Sequence, residues 1–183
     1  MVSPATRWIV FKSGQPLFAT EPESKKRSLA RLTTVDVRPL LGTEPFFAQG
    51  ANEGDSAESG IPVLETARFR GPGVIFLGLH EPESANHALP SADFSAKADA
   101  EAVVAKIEGT PYFSLDVTDI DEEIVDAALQ SAELSRNGQS LAFTDARQAM
   151  SSMDYFEGGI VAEARAMVDW NSRNRVCNAF FAS

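Results

Sequence analysis

Six carboxylates between residues 116 and 126 form the densest group of side chains able to do chemistry: Asp116, Asp119, Asp121, Glu122, Glu123 and Asp126. Carboxylate oxygens are the ligands that Mg²⁺ and Ca²⁺ prefer. An EF-hand loop, however, needs a glycine at its sixth position, and counting from Asp116 places Asp121 there. Acidic residues also stabilise the start of a helix. We therefore interpret the cluster as a solvated helix start, with a metal site as the alternative.

His80 and His87 are the two histidines, so any histidine base or zinc-binding histidine is one of these. His80 follows the most apolar run of the chain, at the kind of strand end where functional groups emerge. No cysteine near it in sequence completes a zinc ligand set. We interpret both as surface histidines. An unrecognised hydrolase built on His80 and the acidic cluster is the alternative.

Two short motifs come close to known catalytic or phosphate-binding motifs without completing them. The segment 138–142 (Gly-Gln-Ser-Leu-Ala) lacks the second glycine of a serine elbow. The segment 71–73 (Gly-Pro-Gly) precedes a strand rather than a helix whose N-terminus holds an anion, so we assign it to a hairpin turn. The sequence therefore predicts no catalytic residue and no metal ligand, and it leaves cofactor-binding residues unknown.

The first half of the chain reads as strands and loops. Runs 8–11 and 16–19 bracket a glycine-containing turn and predict a hairpin. A third β-type run at 32–37 is ended by a proline, and 42–62 reads as a long surface loop. Runs 67–70 and 74–79 predict a second hairpin. The 74–79 arm is apolar on both faces and is predicted to be central in the sheet.

Helical patterns concentrate in the second half. After a polar loop at 81–95, an alanine-rich helix is predicted at 97–107, stopped by Gly109, and then a strand at 112–117. Further predictions are a helix capped by Asp119 or Asp121 and ending at Leu129, a helix at 145–150 capped by Thr144, and a helix at about 156–170 with the stripe Ile160, Ala164, Met167 and Val168. Strands first and helices later argue for an α+β fold.

Composition bounds the function classes. The 183 residues are 44% hydrophobic and 23% charged, which fits one globular domain. The net charge is −10, and although residues 1–50 hold 7 basic and 4 acidic side chains, the excess of acid disfavours nucleic-acid binding. No apolar run reaches the ~20 residues of a spanning helix. The single cysteine, the absence of a secretory pattern at the N-terminus and the final Phe-Ala-Ser predict a soluble cytoplasmic protein, or a peroxisomal one without the Ser-Lys-Leu signal.

Three stretches occur in series: 74–78 (Val-Ile-Phe-Leu-Gly), 109–118 (Gly-Thr-Pro-Tyr-Phe-Ser-Leu-Asp-Val-Thr) and 163–174 (Glu-Ala-Arg-Ala-Met-Val-Asp-Trp-Asn-Ser-Arg-Asn). Their order and spacing resemble the front half of fungal-type NADH pyrophosphatases, which are Nudix hydrolases. The resemblance implies an amino-terminal Nudix-like domain with a mixed sheet, hairpins and C-terminal helices. In the family a four-cysteine zinc ribbon and a catalytic Nudix domain follow. With Mg²⁺ or Mn²⁺, such proteins hydrolyse the diphosphate of NADH, NAD⁺ and NAD-capped RNA.

The family pattern is interrupted after Asn174. Cys177 matches the first cysteine of the ribbon, but Phe180 stands where the second belongs. One cysteine cannot hold structural zinc, so no stoichiometric zinc is expected. The family's Nudix box, Gly-x5-Glu-x7-Arg-Glu-x-x-Glu-Glu, has no match: no glycine is followed six residues later by glutamate, and Arg-Glu does not occur. The metal ligands for diphosphate hydrolysis are therefore missing from this sequence.

The resemblance divides the chain into a Nudix-like domain at 1–152, a helix at 153–176 that leads to the ribbon, and a divergent tail at 177–183. We expect a non-catalytic domain that acts in self-association, as a homodimer, or in contact with a partner. A nucleotide of the NAD(H) type is a ligand by resemblance alone. No cofactor, nucleic acid or membrane partner is expected. The alternatives are the unrecognised hydrolase and a truncated gene product with no independent role.

Overall fold

The backbone forms a mixed sheet and several helices within residues 5–41, 73–81 and 109–174, which the computed structural model describes. The strands in these ranges are β1 (Arg7–Lys12), β2 (Gln15–Thr20), β3 (Arg27–Leu29), β4 (Gly73–His80), β5 (Thr110–Asp116) and β6 (Ser140–Phe143). The α-helices are α1 (Thr34–Leu41), α2 (Glu122–Ser131), α3 (Glu133–Arg136), α4 (Ala146–Ala149) and α5 (Tyr155–Asn174), and a 3₁₀ turn covers Met150–Ser152. The predicted α+β class is confirmed.

The first two strands form the predicted hairpin. Phe11 pairs with Pro16 across it. The turn residues Ser13 and Gly14 have φ angles of 52° and 74°. Two successive positive φ angles are typical of the tight turn whose twist matches the flanking strands. The local sequence therefore determines this hairpin.

Strand β1 is central in the sheet. It pairs antiparallel with β2 on one side and parallel with β5 on the other, and β5 pairs antiparallel with β4. Beyond the hairpin turn, β2 continues into antiparallel pairing with both β3 and β6. The order across the described strands is β3-β2-β1-β5-β4, with β6 also on β2. The hairpin thus joins all the described strands into one sheet.

Alternating side chains of β1 enter two cores on opposite faces of the sheet. Trp8 and Val10 pack in the core under α1 and α2, whereas Ile9 and Phe11 pack in the core under α4 and α5. All four are fully buried. Burying an apolar side chain of this size contributes about 1.5–3 kcal/mol. Both helical layers therefore depend on this one strand.

Most of the segment 32–37, predicted as a strand, is instead the start of helix α1, and only Leu32 forms a strand-like bridge, antiparallel to Trp8. Asp36 Oδ2 accepts a hydrogen bond from the Thr33 backbone N–H (2.8 Å), and the Asp36 N–H donates to Thr33 Oγ1 (3.3 Å). This reciprocal cap starts a helix. Val35, which strand pairing would have placed in the sheet, is 78% exposed, and Pro39 lies inside the helix. Capping by neighbouring side chains overrode the β-propensity of the run.

Strand β4 confirms the run predicted at 74–79 but not its central position. Among the described strands it pairs with β5 alone and lies at the end of the order. Its apolar side chains still serve both cores, since Val74 packs on one and Ile75 and Leu77 on the other. Phe76 is nevertheless 56% exposed, so an apolar sequence on both faces of a strand does not require a central position in the sheet.

Several sequence predictions fall on residues that the structure does not describe. These are the loop at 42–62, the first hairpin arm at 67–70, the polar loop after residue 81, the helix at 97–107 and the tail at 177–183.

The strand predicted at 112–117 and the later helices are confirmed, with changes at one cap. Asp121 caps α2, because its Oδ1 accepts the Glu123 N–H (3.0 Å). Asp145, not Thr144, caps α4, because its Oδ1 accepts the Arg147 N–H (2.7 Å). Asp145 caps the helix although Thr144 is also a capping residue type, and sequence alone does not show which of two adjacent capping residues is used.

Helix α5 spans more residues than predicted and buries a narrower stripe. Ile160, Ala164 and Val168 are buried against the sheet as predicted, but Met167 is 40% exposed. The prediction for Met167 was wrong because the buried stripe follows spacings of four residues and Met167 lies to one side of it. In the described part of the chain, no helix is long and apolar enough to cross a membrane.

Candidate functional site

Most members of the acidic cluster have structural partners. Asp116, at the end of β5, accepts hydrogen bonds from the backbone N–H (3.1 Å) and the hydroxyl of Thr118. Thr118 Oγ1 in turn accepts the Ser13 N–H (2.8 Å). This chain of hydrogen bonds fastens the β1–β2 turn to the segment that follows β5. Asp116 therefore has a role in the fold that accounts for its position.

The first turn of α2 is tied to β1 by an ion pair. Lys12 Nζ lies 2.7 Å from Glu122 Oε1. The hydrogen bond from Lys12, together with its positive charge, holds the pKa of the Glu122 carboxyl below its ordinary value. With Asp121 at the cap, the acidic run is the start of a helix, as the sequence predicts. In the described ranges, no three His, Cys, Asp or Glu side chains are grouped to hold a metal ion.

The structure does not bring His80 and the acidic cluster together. In the β4–β5 pair, His80 is opposite Thr110, while Asp116 is opposite Gly73. These are the two ends of the ladder, and six residues of strand separate them by about 20 Å. A general base and a carboxylate must lie within hydrogen-bond reach of a common substrate atom. The two candidate groups therefore belong to different places on the domain.

His80 instead belongs to a cluster of aromatic rings. Its ring centroid lies 4.6 Å from that of Phe156 and 6.4 Å from that of Tyr112, both edge to face. Tyr112 and Phe156 are also edge to face, at 5.6 Å. Edge-to-face contacts are a favoured aromatic geometry. Sequence patterns do not reveal this cluster, because its members come from β4, β5 and α5 and their contact depends on strand register and helix docking.

Arg31 fixes the Phe156 side of this cluster. Its guanidinium carbon lies 5.5 Å from the centroid of the Phe156 ring, and Nη2 lies 3.0 Å from Glu157 Oε1. Glu157 is buried, and its backbone N–H donates to Asp154 Oδ1 (2.7 Å) at the start of α5. Arg31 is therefore half-buried and paired with the helix.

A cleft of about 1000 Å³ lies between the β1–β2 turn, the end of β5 and one flank of α5. Arg165 and the Arg173–Asp169 ion pair (3.0 Å) line its helix side, and Asp116 lines its strand side. Its charges are mixed, because the acidic and basic groups face one another. The electrostatic potential in the cleft is therefore of mixed sign and favours neither an anionic nor a cationic ligand.

The opposite flank of α5 is exposed and apolar near the end of the helix. Met167 is 40% exposed and Trp170 is 61% exposed. Neither is among the buried side chains that pack α5 on the sheet. Sequence periodicity identified the helix but placed Met167 on the wrong side. For Trp170, which lies in the stretch 163–174 that carries the family resemblance, no exposure was predicted from the sequence.

The remaining motifs have structural positions or lie outside the described residues. Segment 138–142 leads into and forms most of β6, which pairs with β2, and this pairing explains its apolar residues. Gly73 begins β4, and the rest of the 71–73 turn lies outside the described residues, as do His87, Cys177 and Phe180.

These observations define the class of the protein: an α+β domain with a mixed sheet between two helical layers, in whose described part no metal-ligand cluster occurs. Comparison with family models matches residues 5–170 to the NADH pyrophosphatase-like rudimentary NUDIX domain. The chain belongs to this family, which confirms the resemblance read from its sequence. A search of curated proteins gives no match.

Proposed function

We propose that this chain is a non-catalytic Nudix-like domain that associates with a second copy of itself through one flank of helix α5. The exposure of Met167 and Trp170 on that flank carries the proposal. Exposed apolar patches of this kind mark interfaces. Tryptophan is also enriched among the residues that dominate binding energy at protein interfaces.

The absence of a Nudix box from the sequence supports a role without catalysis. Metal-assisted diphosphate hydrolysis needs carboxylates that hold the metal ions on the diphosphate. Three described carboxylates of the acidic cluster already have structural roles. Asp116 accepts a hydrogen bond in a turn, Asp121 caps helix α2, and Glu122 forms an ion pair with Lys12. Their partners account for them without a substrate.

A second copy is the occupant that the family favours, because the resemblance implies that its amino-terminal domain contributes to dimer formation. A two-fold contact brings the same flank of both copies together, so one interface buries the Trp170 side chain of each copy. Burial of one such side chain contributes on the order of 2–3 kcal/mol before the cost of association. In sequence, Val176, Phe180 and Phe181 follow the helix and add apolar side chains. A weak to moderate dimer follows.

Sedimentation velocity over a wide concentration range tests the proposal. The protein is expected to shift from monomer to dimer as its concentration rises. Trp170→Ser is expected to raise the dimer dissociation constant at least about tenfold, the size of a 1.4 kcal/mol loss. Ile124→Ser is the matched control, because Ile124 is a 48% exposed apolar residue on α2, in the opposite layer. Deleting the residues after Asn174 is expected to weaken the dimer further.

Two results contradict the proposal. One is a strict monomer at high micromolar concentration. The other is an equal effect of Trp170→Ser and Ile124→Ser, which would make the α5 flank no more important than any exposed apolar position. A dimer unchanged by the tail deletion would keep α5 in the interface and remove the tail from it.

A further inference from the structure

An open apolar groove of about 370 Å³ lies between helices α1 and α2, in the helical layer opposite α5. Its described lining residues are Pro39 of α1 and, on α2, Glu123, Ile124, Ala127, Ala128 and Ser131. Ile124 is 48% exposed. Val35, one turn before Pro39 on the same side of α1, is 78% exposed and extends the apolar surface. The two helices therefore present an apolar surface to solvent.

The charge along this groove is negative. Helix α2 contains three carboxylates, Glu122, Glu123 and Asp126, and no lysine or arginine. Glu122 is paired with Lys12, whereas Glu123 lines the groove and Asp126 is exposed next to it, three residues further along the helix. Arg38, the basic residue of α1, is not among the described lining residues. The surface of α2 beside the groove therefore attracts positively charged groups.

The shape of the groove suits a helix better than an extended segment. Helices satisfy their backbone groups internally, so α1 and α2 do not offer the row of free N–H and C=O groups to which an added strand binds. The small side chains of Ala127, Ala128 and Ser131 allow the ridges of a third helix to pack closely between the two. A helix whose apolar residues recur at i, i+3 and i+4 presents one stripe to such a groove.

We infer that the groove between α1 and α2 binds a basic amphipathic helix of a partner protein. The apolar stripe of that helix packs on Pro39, Ile124 and Ala127, and its lysine or arginine side chains lie beside Glu123 and Asp126. Burial of apolar surface supplies the affinity, and charge complementarity selects the partner. The inference does not rest on the proposed self-association, because the groove belongs to the layer opposite α5.

Two capped peptides of about 18 residues test the inference. Both carry leucine at i, i+3, i+4 and i+7, and the remaining positions are lysine in one peptide and glutamate in the other. In heteronuclear NMR titrations of the full chain, the lysine peptide is expected to give saturable shifts at the amides of Val35, Ala127 and Ser131. It is expected to bind at least about tenfold more tightly than the glutamate peptide. Similar binding of the two peptides, shifts confined to α5, or no saturation below ~1 mM overturns the inference.

A matched pair of charge reversals separates the groove from the overall negative charge of the protein. Glu123→Arg and Glu163→Arg change the net charge equally, but Glu163 lies on α5. Glu123→Arg is expected to weaken binding of the lysine peptide about threefold or more and to strengthen binding of the glutamate peptide. At ~0.15 M salt, screening is expected to keep the effect of Glu163→Arg below about twofold. Equal effects of the two variants would show attraction to the net charge alone and contradict the inference.

A second matched pair tests the apolar surface. Ala127→Gln puts a polar side chain into the groove and is expected to weaken binding of the lysine peptide about fivefold or more, because the peptide's leucines then bury a polar group. Ala162→Gln makes the same change at an exposed alanine of α5 and is expected to leave binding unchanged. Equal dissociation constants for the two variants contradict the inference.

Two further measurements test the conformation and the identity of the occupant. A peptide with the same leucines and lysines in strict alternation, the pattern of a strand, is expected to bind at least about tenfold more weakly than the helical peptide. Equal binding would assign the groove to an extended segment and overturn the inference. In sedimentation velocity, Ala127→Gln is expected to associate as the unsubstituted protein does. A weakened dimer would assign the groove to a second copy of the chain and overturn the inference, whereas a strict monomer in both proteins would contradict only the proposed self-association.

Discussion

Asp36 connects two helices through its two carboxylate oxygens. One oxygen accepts the backbone N–H and the hydroxyl of Thr33 (2.8 and 2.7 Å), which starts α1. The other accepts the N–H of Glu133 (2.9 Å), at the start of α3 and 97 residues away in the chain. The carboxylate itself is buried. A single side chain therefore satisfies donors at two helix starts.

Asp36→Asn is expected to destabilise the protein by about 1–3 kcal/mol, because the new amide nitrogen would face a backbone donor and leave it unsatisfied. Urea unfolding measures the loss. Asp126→Asn, on the exposed side of α2, is the control and is expected to change the free energy of unfolding by less than about 0.5 kcal/mol. A similarly small effect at Asp36 would show that water or a neighbour replaces its hydrogen bonds.

The Lys12–Glu122 pair predicts a pH dependence of stability. The pKa of Glu122 is lowered in the folded state, so its contribution is present above the ordinary carboxylate pKa and is lost as the pH falls through the folded value. Glu122→Gln is therefore expected to be slightly less stable than the unsubstituted protein at neutral pH and equal to it in strong acid. Urea unfolding of both proteins at each pH measures this. A stability difference that persists unchanged in acid would contradict the assignment to this carboxylate.

At the scale of elements, α5 contains two adjacent glycines in its second turn. Glycine in a helix is destabilising by roughly 0.5–1 kcal/mol relative to alanine. At both Gly158 and Gly159 a Cβ would meet no atom within 4 Å. The helix is thus less stable than an alanine-containing one would be, beside the aromatic cluster of His80, Tyr112 and Phe156.

Gly158→Ala and Gly159→Ala are each expected to stabilise the protein by about 0.5–1 kcal/mol. Gly109→Ala is the contrasting control and is expected to destabilise it, because Gly109 has a φ of 133° and its Cβ would lie 3.2 Å from the carbonyl oxygen of His80. Thermal and urea unfolding measure all three. Loss of stability in both Gly158→Ala and Gly159→Ala would contradict the expectation that an added Cβ is accommodated at these positions.

The elements that the sequence predicted well are those specified by neighbouring residues. The β1–β2 hairpin follows from two β-prone runs around Gly14, and α5 follows from its apolar stripe. Residues 34–37 were assigned wrongly to a strand because a two-residue cap, Thr33 with Asp36, outweighed a run of strand formers. Strand β6 was missed because its four residues gain their pairing from β2, and distant pairing leaves no local signal.

The candidate sites were less predictable than the elements. The acidic run was correctly interpreted as a helix start, since its partners lie nearby or in the fold's first hairpin. The aromatic cluster needs His80 beside Tyr112 and Phe156, which requires the β4–β5 register and the docking of α5 together. Neither the strand register nor the docking of the helix can be read from patterns in a single sequence. The exposure of Met167 likewise depended on the angle at which the helix lies on the sheet.

At the scale of the whole molecule, the chain belongs to the NADH pyrophosphatase-like rudimentary NUDIX domain family, and its sequence contains no match to the Nudix box. Purified protein is expected to release no product from NADH above a no-enzyme control in the presence of Mg²⁺ or Mn²⁺. The reason is that the sequence contains no match to the Nudix box, whose glutamates hold the metal ions in the resembled family. Chromatographic separation of the nucleotide products measures the outcome.

Simultaneous replacement of Asp119, Asp121, Glu122 and Glu123 serves as the comparison for that assay. Turnover in the unsubstituted protein that is lost in this variant would assign hydrolysis to the acidic cluster. Turnover that survives the replacement would place an active site elsewhere in the chain. Either result contradicts the expectation.

The parallel pairing of β1 with β5 has a consequence for how the chain reaches its native state. The hydrogen bond from Ser13 to Thr118, beside that pair, joins residues 105 positions apart. Closing so long a loop costs conformational entropy before any contact compensates for it, and topologies rich in such distant pairs fold slowly. The β1–β2 hairpin is formed by residues close in sequence, so it is able to form before β1 pairs with β5. During synthesis on the ribosome, β1 therefore remains without its parallel neighbour until more than half of the chain has emerged.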